Sequence, residues 1–283
     1  MGTTEELSVM AVVLTHNAPD SLDRCLRSIG AQTTPPQAIL VVDNASTPPV
    51  SVADLPESIP PVTLVRSEVN GGPAGGYAIA LAHFLEAGFR HAWVIDDDMI
   101  PDATCLERLW VVAAKDPESA FVFPVSHQPD GSFGAWPSWC GFLVAREIID
   151  EVGLPMAELF WWAEDTEYLQ WRIPQAGYPM RVVGDAAVRH GAIRHGVGVP
   201  VWKYYYEARN MLYVHAYVKR KVGRYPRNVL KLLGRAVLSE PEGRWERLQA
   251  MGKGLNDGAH GRLGMQFPIE PMRERTDPVG RSA

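Results

Sequence analysis

Residues 9–44, VMAVVLTHNAPDSLDRCLRSIGAQTTPPQAILVVDN, place two apolar runs on either side of a segment with helical spacing. The first run, 9–15, is rich in valine, which is typical of a strand covered on both faces. Residues 19–31 begin with proline and repeat apolar side chains every three or four positions, which predicts a crossover helix. The second run, 38–42, completes a β-α-β unit. This order predicts a parallel sheet with both following loops at one edge, where open parallel sheets bind ligands.

The alternation continues along the chain, and each predicted strand ends in polar or glycine-rich sequence. Later elements are predicted as a strand at 62–66, a helix from the glycine-rich turn 70–76 to 88, a strand at 92–95, a helix at 102–115, a strand at 120–124, a Trp-rich loop at 133–140, a strand at 141–145, a helix from 164, and helices at 203–222 and 226–238. The predicted fold class is α/β: a Rossmann-like, mostly parallel sheet with flanking helices in residues 1–202. A helical, basic C-terminal region, residues 203–283, is expected to pack on it.

The composition is that of an ordinary globular protein, with 46% hydrophobic and 21% charged residues among 283. Three widely spaced cysteines are too few for a disulfide framework, so we expect a reducing, cytoplasmic location. No stretch reaches the roughly 18 apolar residues of a spanning helix, and the acidic N-terminus does not resemble a secretory leader.

The charge is unevenly distributed, because residues 203–262 carry 13 Lys or Arg and 5 Asp or Glu. Two interpretations stay open for this basic region. It is either a solvated helix face, or a surface that contacts anionic lipid at the inner face of a membrane. Nothing in the pattern indicates a nucleic-acid partner.

Asp96, Asp97 and Asp98 form the strongest chemical signal, because three carboxylates directly after an apolar strand repel one another unless a cation neutralises them. Oxygen ligands suit Mg²⁺ or Mn²⁺, and Mg²⁺ is normally held by one or two carboxylates together with substrate phosphates. The alternative is an acidic turn or helix cap. The position after a buried strand favours a diphosphate-metal site.

A second constellation is the run from Trp161 to Asp165, in which acids follow bulky aromatics at a predicted helix start. The acids could simply favour the helix dipole. An aromatic wall beside an acid also suits a sugar site, where a carboxylate accepts the proton of an acceptor hydroxyl. The glycines of 70–76 could bring backbone close to phosphate or ribose. His190 alone is more typical of a structural histidine than of a metal ligand.

Taken together, these motifs resemble those of family-2 inverting glycosyltransferases with the GT-A fold, over residues 9–260. The resemblance rests on their order: Thr15-His-Asn17, Asp43-Asn44, Asn70-Gly-Gly-Pro-Ala-Gly-Gly76, Asp96-Asp-Asp98, Trp162-Ala-Glu-Asp165, His190 and Gly254-Leu-Asn-Asp-Gly-Ala-His-Gly-Arg262. It is nearest to bacterial galactofuranosyltransferases and rhamnosyltransferases.

The resemblance implies a role for each matching position. The resemblance implies that the base and ribose are held by Thr15, Asn17 and Asp43. It implies that the nucleotide is flanked by Asn70, Gly71, Gly72, Gly75 and Gly76. It also implies that the nucleotide sugar is contacted by Asp96 and Asp97. Asp96, Asp98 and His190 bind Mg²⁺ or Mn²⁺, and Asp165 is the general base. Trp139, Trp161, Trp162 and Glu164 shape the acceptor or sugar pocket. Glu164 stands where some galactofuranosyl relatives have an aspartate, which leaves its share in the chemistry open.

The implied reaction moves a galactofuranose-like or rhamnose-like sugar from a UDP-sugar or dTDP-sugar to a hydroxyl acceptor, such as a lipid-linked one, with inversion. A sugar-1-phosphate nucleotidyltransferase is one alternative, but it needs a basic, glycine-rich loop after the first strand. This chain has Thr-His-Asn-Ala-Pro at 15–19 instead. A catalytically silent nucleotide-sugar binding module is another, and it is expected to lose acids that are intact here.

Overall fold

The computed structural model describes residues 8–57, 59–128, 131–135, 137–191, 199–221, 223, 225–238 and 243–269. The chain divides into two compact units. The first unit contains Met1–Phe160 and Glu164–Ala192, and the second contains Trp161–Ala163 and Ile193–Ala283.

The first unit is built on one sheet, in which strands are hydrogen-bonded in the order β3-β2-β1-β4-β8-β6-β9-β5, with β7 added to β6. The strands are β1 (Val9–Thr15), β2 (Ala38–Asn44), β3 (Val62–Ser67), β4 (His91–Asp96), β5 (Met99–Pro101), β6 (Phe121–His127), β7 (Phe133–Gly134), β8 (Cys140–Ala145) and β9 (Arg181–His190).

The predicted parallel half of the sheet is confirmed. Strand β1 pairs in parallel with β2 and β4, and β2 pairs in parallel with β3. Every residue of β1 is buried, as its apolar run predicts. The polar ends of β1, β2 and β4 therefore lie at one edge of the sheet.

Beyond β4 the sheet is mixed, because β8 runs antiparallel to β4 and to β6, whereas β9 runs parallel to β6. Sequence analysis predicted β6 and β8 but not β9. The register shows why: Pro124 pairs with Val183 and the next residue, Val125, pairs with Ala187. The three residues between Val183 and Ala187 bulge out, which breaks the alternation that identifies a strand.

Helices cover the sheet of the first unit: α1 (Pro19–Gly30), α2 (Gly72–Ala87), α3 (Cys105–Ala113), α4 (Arg146–Val152), α5 (Glu164–Glu167) and α6 (Ile173–Gln175). A π-helical turn, Tyr168–Arg172, separates the last two, so the helix predicted from residue 164 is irregular. The core is packed from both faces; Trp93 is fully buried, and its indole N–H donates to the Gly141 carbonyl at 2.9 Å.

The second unit is helical in its described part: α7 (Val201–Tyr213) runs into a π-helical turn (Val214–Val218) and is followed by α8 (Tyr225–Leu238) and α9 (Arg244–Ala259). Helix α9 was not predicted. A Cβ at Gly254 would lie 2.3 Å from the Tyr205 carbonyl oxygen, and one at Gly258 would lie 2.5 Å from that of Arg209. These glycines let α9 approach α7 closely. Among the described residues no helix is long and apolar enough to span a bilayer.

Candidate active site

The ends of the parallel strands bring the predicted nucleotide residues together. The register pairs Thr15 with Asp43, Leu14 with Asp96, and Asp43 with Arg66. Because parallel strands end at the same edge, the Thr-His-Asn and Asp-Asn motifs and the three aspartates meet there.

Each of the three aspartates has a different partner. Tyr77 donates its hydroxyl to Oδ1 of Asp96, and Thr15 donates its hydroxyl to Oδ2 of Asp97 at 2.6 Å. Nε2 of His190 lies 3.6 Å from Oδ2 of Asp98. The three aspartate side chains therefore point toward three different partners.

Burial is the main reason why the aspartate pKa values are raised. It raises the pKa of Asp96 well above its ordinary value, with further increases from the charges of Asp98, Asp97 and Glu164. Burial also raises the pKa of Asp97 to about 7, against the hydrogen bond from Thr15. For Asp98, burial outweighs the opposing effect of His190 on the pKa. A cluster of this kind resists full ionisation unless a cation is bound beside it.

The predicted pocket residue Trp139 supports Asp96 from two directions. Its carbonyl oxygen accepts the backbone N–H of Asp96 at 2.8 Å. Its indole, which is 3% exposed, stacks on Tyr77 with ring centroids 4.0 Å apart. Tyr77 in turn holds the Asp96 carboxylate. Tyr77 could not be predicted from the sequence, because a tyrosine inside a helical apolar pattern gives no signal beyond core packing.

Asp98 and His190 approach each other because of strand pairing. Asp98 precedes β5, His190 ends β9, and the antiparallel register pairs Met99 with His190. The Gly191 N–H also donates to the Asp98 carbonyl at 2.6 Å. In the described part of the chain, no group of three or more His, Cys, Asp or Glu side chains is arranged to hold a metal ion, so Asp96, Asp98 and His190 do not converge on one point. A neighbouring carboxylate and imidazole fit an ion that takes its other ligands from a diphosphate and water.

Asp43 lies deeper than its predicted role as a base contact suggests, since it is 0% exposed. Its carboxylate accepts the backbone N–H groups of Ser46 at 2.8 Å and Val50 at 3.1 Å, and it forms an ion pair with Arg66. Burial alone would raise the pKa of Asp43, but the hydrogen bonds from Ser46, Val50 and Arg66 hold the pKa below its ordinary value. The carboxylate stays ionised and orders the loop after β2.

Asn44, at the end of β2, is hydrogen-bonded to residues that follow β1 and β3. Its amide donates to Oδ1 of Asn70 at 3.2 Å, and its Oδ1 accepts the Gly71 N–H at 3.0 Å. Its carbonyl contacts Nδ1 of His16 at 2.8 Å. Asn17 accepts the Thr47 N–H at 2.7 Å, which joins the loops after β1 and β2. Asn44 and His16 lie inside motifs that were recognised, but their links could not be predicted without the register.

The glycine-rich turn is shaped by packing. Gly72 has φ +65°, and a Cβ there would lie 2.1 Å from the Phe160 carbonyl oxygen. The same oxygen accepts the Ala74 N–H at 3.1 Å, so it caps the start of α2. A Cβ at Gly76 would lie 2.4 Å from a methyl group of Leu14. At Gly75, by contrast, no atom of the described residues outside its chain neighbours and its own helix backbone lies within 4 Å of the Cβ position.

We expect Gly75→Ala and Gly76→Ala to separate nucleotide binding from folding. Gly75→Ala should keep or raise the melting temperature, since alanine favours a helix by roughly 0.5–1 kcal/mol. It should weaken nucleotide diphosphate binding if the ligand occupies the open space, as predicted for this turn. The matched Gly76→Ala should lower stability by about 1–3 kcal/mol through overpacking against Leu14. Thermal melting and calorimetry measure both effects; unchanged affinity in Gly75→Ala would remove Gly75 from the predicted nucleotide contacts.

Glu164 and Asp165 have distinct surroundings at the start of α5. Glu164 is 7% exposed, and its charge contributes to the raised pKa of Asp96 after burial and Asp98. Oδ1 of Asp165 accepts the Thr166 backbone N–H at 2.5 Å and the Thr166 hydroxyl at 3.2 Å. Asp165 is only partly buried. Glu164 therefore interacts electrostatically with Asp96 of the aspartate cluster.

Trp161 and Trp162 belong to the second unit, where they form an aromatic cluster. Their rings stack with centroids 5.0 Å apart, and Trp202 packs edge-on against Trp161 at 4.7 Å. The amide of Asn210 donates to both backbone carbonyls of the tryptophan pair at 2.7 Å each. Lys203 Nζ lies 4.9 Å from the Trp161 ring centroid. These contacts fix the position of the pair in the second unit, and 38% of Trp162 is exposed.

Comparison with protein families matches residues 10–196, more than half of the chain, to glycosyl transferase family 2. A galactofuranosyltransferase, GlfT1, of Mycobacterium tuberculosis is 39% identical over 110 residues, which are 38% of this chain and 36% of the relative. GlfT1 of Mycolicibacterium smegmatis is 28% identical over 214 residues, 64% of this chain and 70% of the relative. The chain thus spans about a third of the Mycobacterium tuberculosis relative.

Solved structures with the GT-A fold have a similar architecture. GalNAc-T7, crystallised with UDP, GalNAc and Mn²⁺, gives a TM-score of 0.58 at 16% identity, over 91% of this chain and 57% of that one. Staphylococcus aureus TarS 1-349 gives 0.54 at 14% identity, over 90% and 92%. The same fragment in complex with UDP-GlcNAc gives 0.56 at 14% identity, over 88% and 80%. At these identities the likeness establishes the fold.

Proposed function

The chain belongs to glycosyl transferase family 2, and from that premise we propose that it transfers a sugar from a nucleotide diphosphate sugar to a hydroxyl acceptor with inversion. One observation carries the proposal: Asp98 lies beside His190 at the strand edge that also gathers Thr15 and Asp43. In a nucleotide sugar the base, the ribose and the diphosphate follow one another. Side chains that suit the base and ribose, followed by side chains that would hold a metal ion beside the diphosphate, are therefore needed along one edge of the sheet.

The proposed donor is a UDP-sugar or a dTDP-sugar. Thr15, Asn17 and the loop ordered by Asp43 surround the base and ribose, and the turn from Asn70 to Gly76 flanks the nucleotide. Crystals of TarS with UDP-GlcNAc support a uridine donor by analogy of fold. The GlfT1 relatives support a galactofuranose-like sugar over a rhamnose-like one.

The proposed reaction is a single displacement. Asp165 takes the proton of the acceptor hydroxyl, whose oxygen bonds to the anomeric carbon as the bond to the diphosphate oxygen breaks. The electron pair of that bond leaves with the nucleoside diphosphate, and attack from the opposite face inverts the configuration. Glu164 and Trp139 of the first unit are proposed to shape the sugar pocket.

Asp98 and His190 are the residues proposed to hold Mg²⁺ or Mn²⁺, with Asp96 at the junction with the sugar and Asp97 fixed by Thr15. The ion would neutralise the charge that develops on the departing diphosphate. Tyr77 and Trp139 keep Asp96 oriented through the hydroxyl contact and the ring stack.

A competition experiment tests the donor assignment. We expect calorimetry with UDP, dTDP, GDP and ADP, each with Mn²⁺, to rank the two pyrimidine nucleotides first. A screen of the corresponding nucleotide sugars should show metal-dependent turnover for the same pair. If GDP bound tightest, the base pocket assigned around Asp43 would be wrong. Turnover of none of the donors, despite tight binding, would instead favour a silent binding module.

A further inference from the structure

We propose that the outer face of α8, together with the groove at its start, binds the surface of an anionic lipid bilayer. The proposal is independent of the transfer reaction and concerns the second unit alone. It follows from three features of that unit: exposed leucines at helical spacing, a long stretch without acidic residues, and a groove that combines aromatic and basic side chains.

Helix α8 has apolar residues on two faces. Leu232 and Ala236 are buried against the unit's own core. Leu230, three residues before Leu233, is 67% exposed, Leu233 is 39% exposed, and Leu238 is 83% exposed. Residues three apart lie on the same helix face. Leu230 and Leu233 therefore form an outward stripe, whereas scattered single exposed leucines would need no explanation.

The charged residues that α8 itself carries are all basic, although Arg235 forms an ion pair with Glu207 of α7 and Arg209, on α7, is buried. Residues 208–238 contain eight Lys or Arg and no Asp or Glu. Arg227 and Lys231 are exposed on α8 itself, and they flank Leu230 at positions i−3 and i+1. A helix that presents leucines beside Lys and Arg, with no acid, is typical of helices that lie in a membrane interface.

A groove of about 740 Å³ adjoins the start of α8. It is larger than another groove of the second unit, which measures about 470 Å³. The larger groove is lined by residues that include Tyr217, Arg220, Lys221, Tyr225 and Pro226. Arg220 is exposed, and Tyr217 is 50% exposed. Tyrosine and arginine together suit the headgroup level of a bilayer. Exposed leucines beside Lys and Arg fit an anionic bilayer, which offers negative headgroups next to an apolar interior.

Vesicle co-sedimentation tests the proposal. We expect the protein to bind vesicles of phosphatidylcholine with 30 mol % phosphatidylglycerol, and to bind pure phosphatidylcholine at least about tenfold more weakly. Leu230→Gln with Leu233→Gln should lower binding to the anionic vesicles by about tenfold or more. Arg227→Gln with Lys231→Gln should lower it roughly twentyfold and reduce its salt dependence.

Val111→Gln is the matched control, since Val111 is an exposed apolar residue of the first unit, 59% exposed. It should leave vesicle binding unchanged. The leucine variant should keep the melting temperature and the turnover of a soluble acceptor, so a failure here leaves the transfer reaction untouched. Equal binding to both vesicle types, or undiminished binding by the leucine variant, would overturn the proposal. So would a dimer in sedimentation velocity that the leucine changes convert to a monomer, because the face would then join two copies.

Discussion

Asp165→Asn should lower the rate of sugar transfer by about 10²–10⁴-fold while donor affinity changes by no more than a few-fold. The amide keeps the size of the side chain and can still accept from Thr166, but it cannot take a proton at neutral pH. The contacts assigned to the donor lie on other elements, at Thr15, in the loop that Asp43 orders, and at Asp98. The loss should therefore appear in kcat, measured with saturating donor, rather than in nucleotide-sugar binding.

Glu164→Gln is the paired control for this experiment. Glu164 is buried and interacts with the charge of Asp96, so its neutralisation should alter donor or metal binding more than proton transfer. A Glu164→Gln enzyme without activity, next to an Asp165→Asn enzyme with most of it, would assign the base to Glu164. Near-normal transfer in both variants would leave the proposed reaction without a base.

Asp98→Ala should weaken Mn²⁺-dependent binding of nucleoside diphosphate by at least about tenfold to a hundredfold. The reason is that Asp98 and His190 are the residues that would hold the proposed ion, and the ion would supply the positive charge that the diphosphate needs. The melting temperature without ligand should change little or rise, because removal of the Asp98 carboxylate relieves repulsion on Asp96 and Asp97, whose pKa values are raised by burial and also by the charge of Asp98. Calorimetry with and without Mn²⁺, beside thermal melting, measures the two effects.

His190→Ala is the matched test on the other strand and should give the same metal-dependent loss. Full transfer activity in excess chelator would contradict the metal assignment for both residues. A large fall in the melting temperature of ligand-free Asp98→Ala would instead give Asp98 a structural role, through its place before β5.

The first half of the fold could be predicted because its strands are buried on both faces. Both faces of Val9–Thr15 are buried, so its side chains do not alternate between apolar and polar. The continuous apolar run and the helix after it therefore predict a parallel β-α-β unit directly. The second half is harder because its determinants are non-local. Strand β9 carries a three-residue bulge opposite Pro124. Helix α9 contains glycines that lower helix propensity, and only the close approach of α7 explains them.

The residues of the candidate site likewise fall into those that the sequence could predict and those that it could not. The acids, Thr15 and His190 were identifiable because carboxylates at strand ends and a matching motif order point to chemistry. Tyr77 and Arg66 were not, because their roles depend on which strands are neighbours. Asp43 shows the limit most clearly: its position at a strand end was predictable, but its burial under Ser46 and Val50 follows from the folding of the next loop.

The carbonyl group of Phe160 connects the glycine-rich turn at residues 70–76 with the segment that leads to Glu164. It caps α2 and occupies the space that any side chain at Gly72 would need. Phe160 is also the last residue before the tryptophan pair that leads to Glu164. The backbone at residue 160 and the turn at residues 70–76 therefore constrain each other. An insertion or deletion next to Phe160 should consequently displace the glycine turn as well, even though some 90 residues separate the two in sequence.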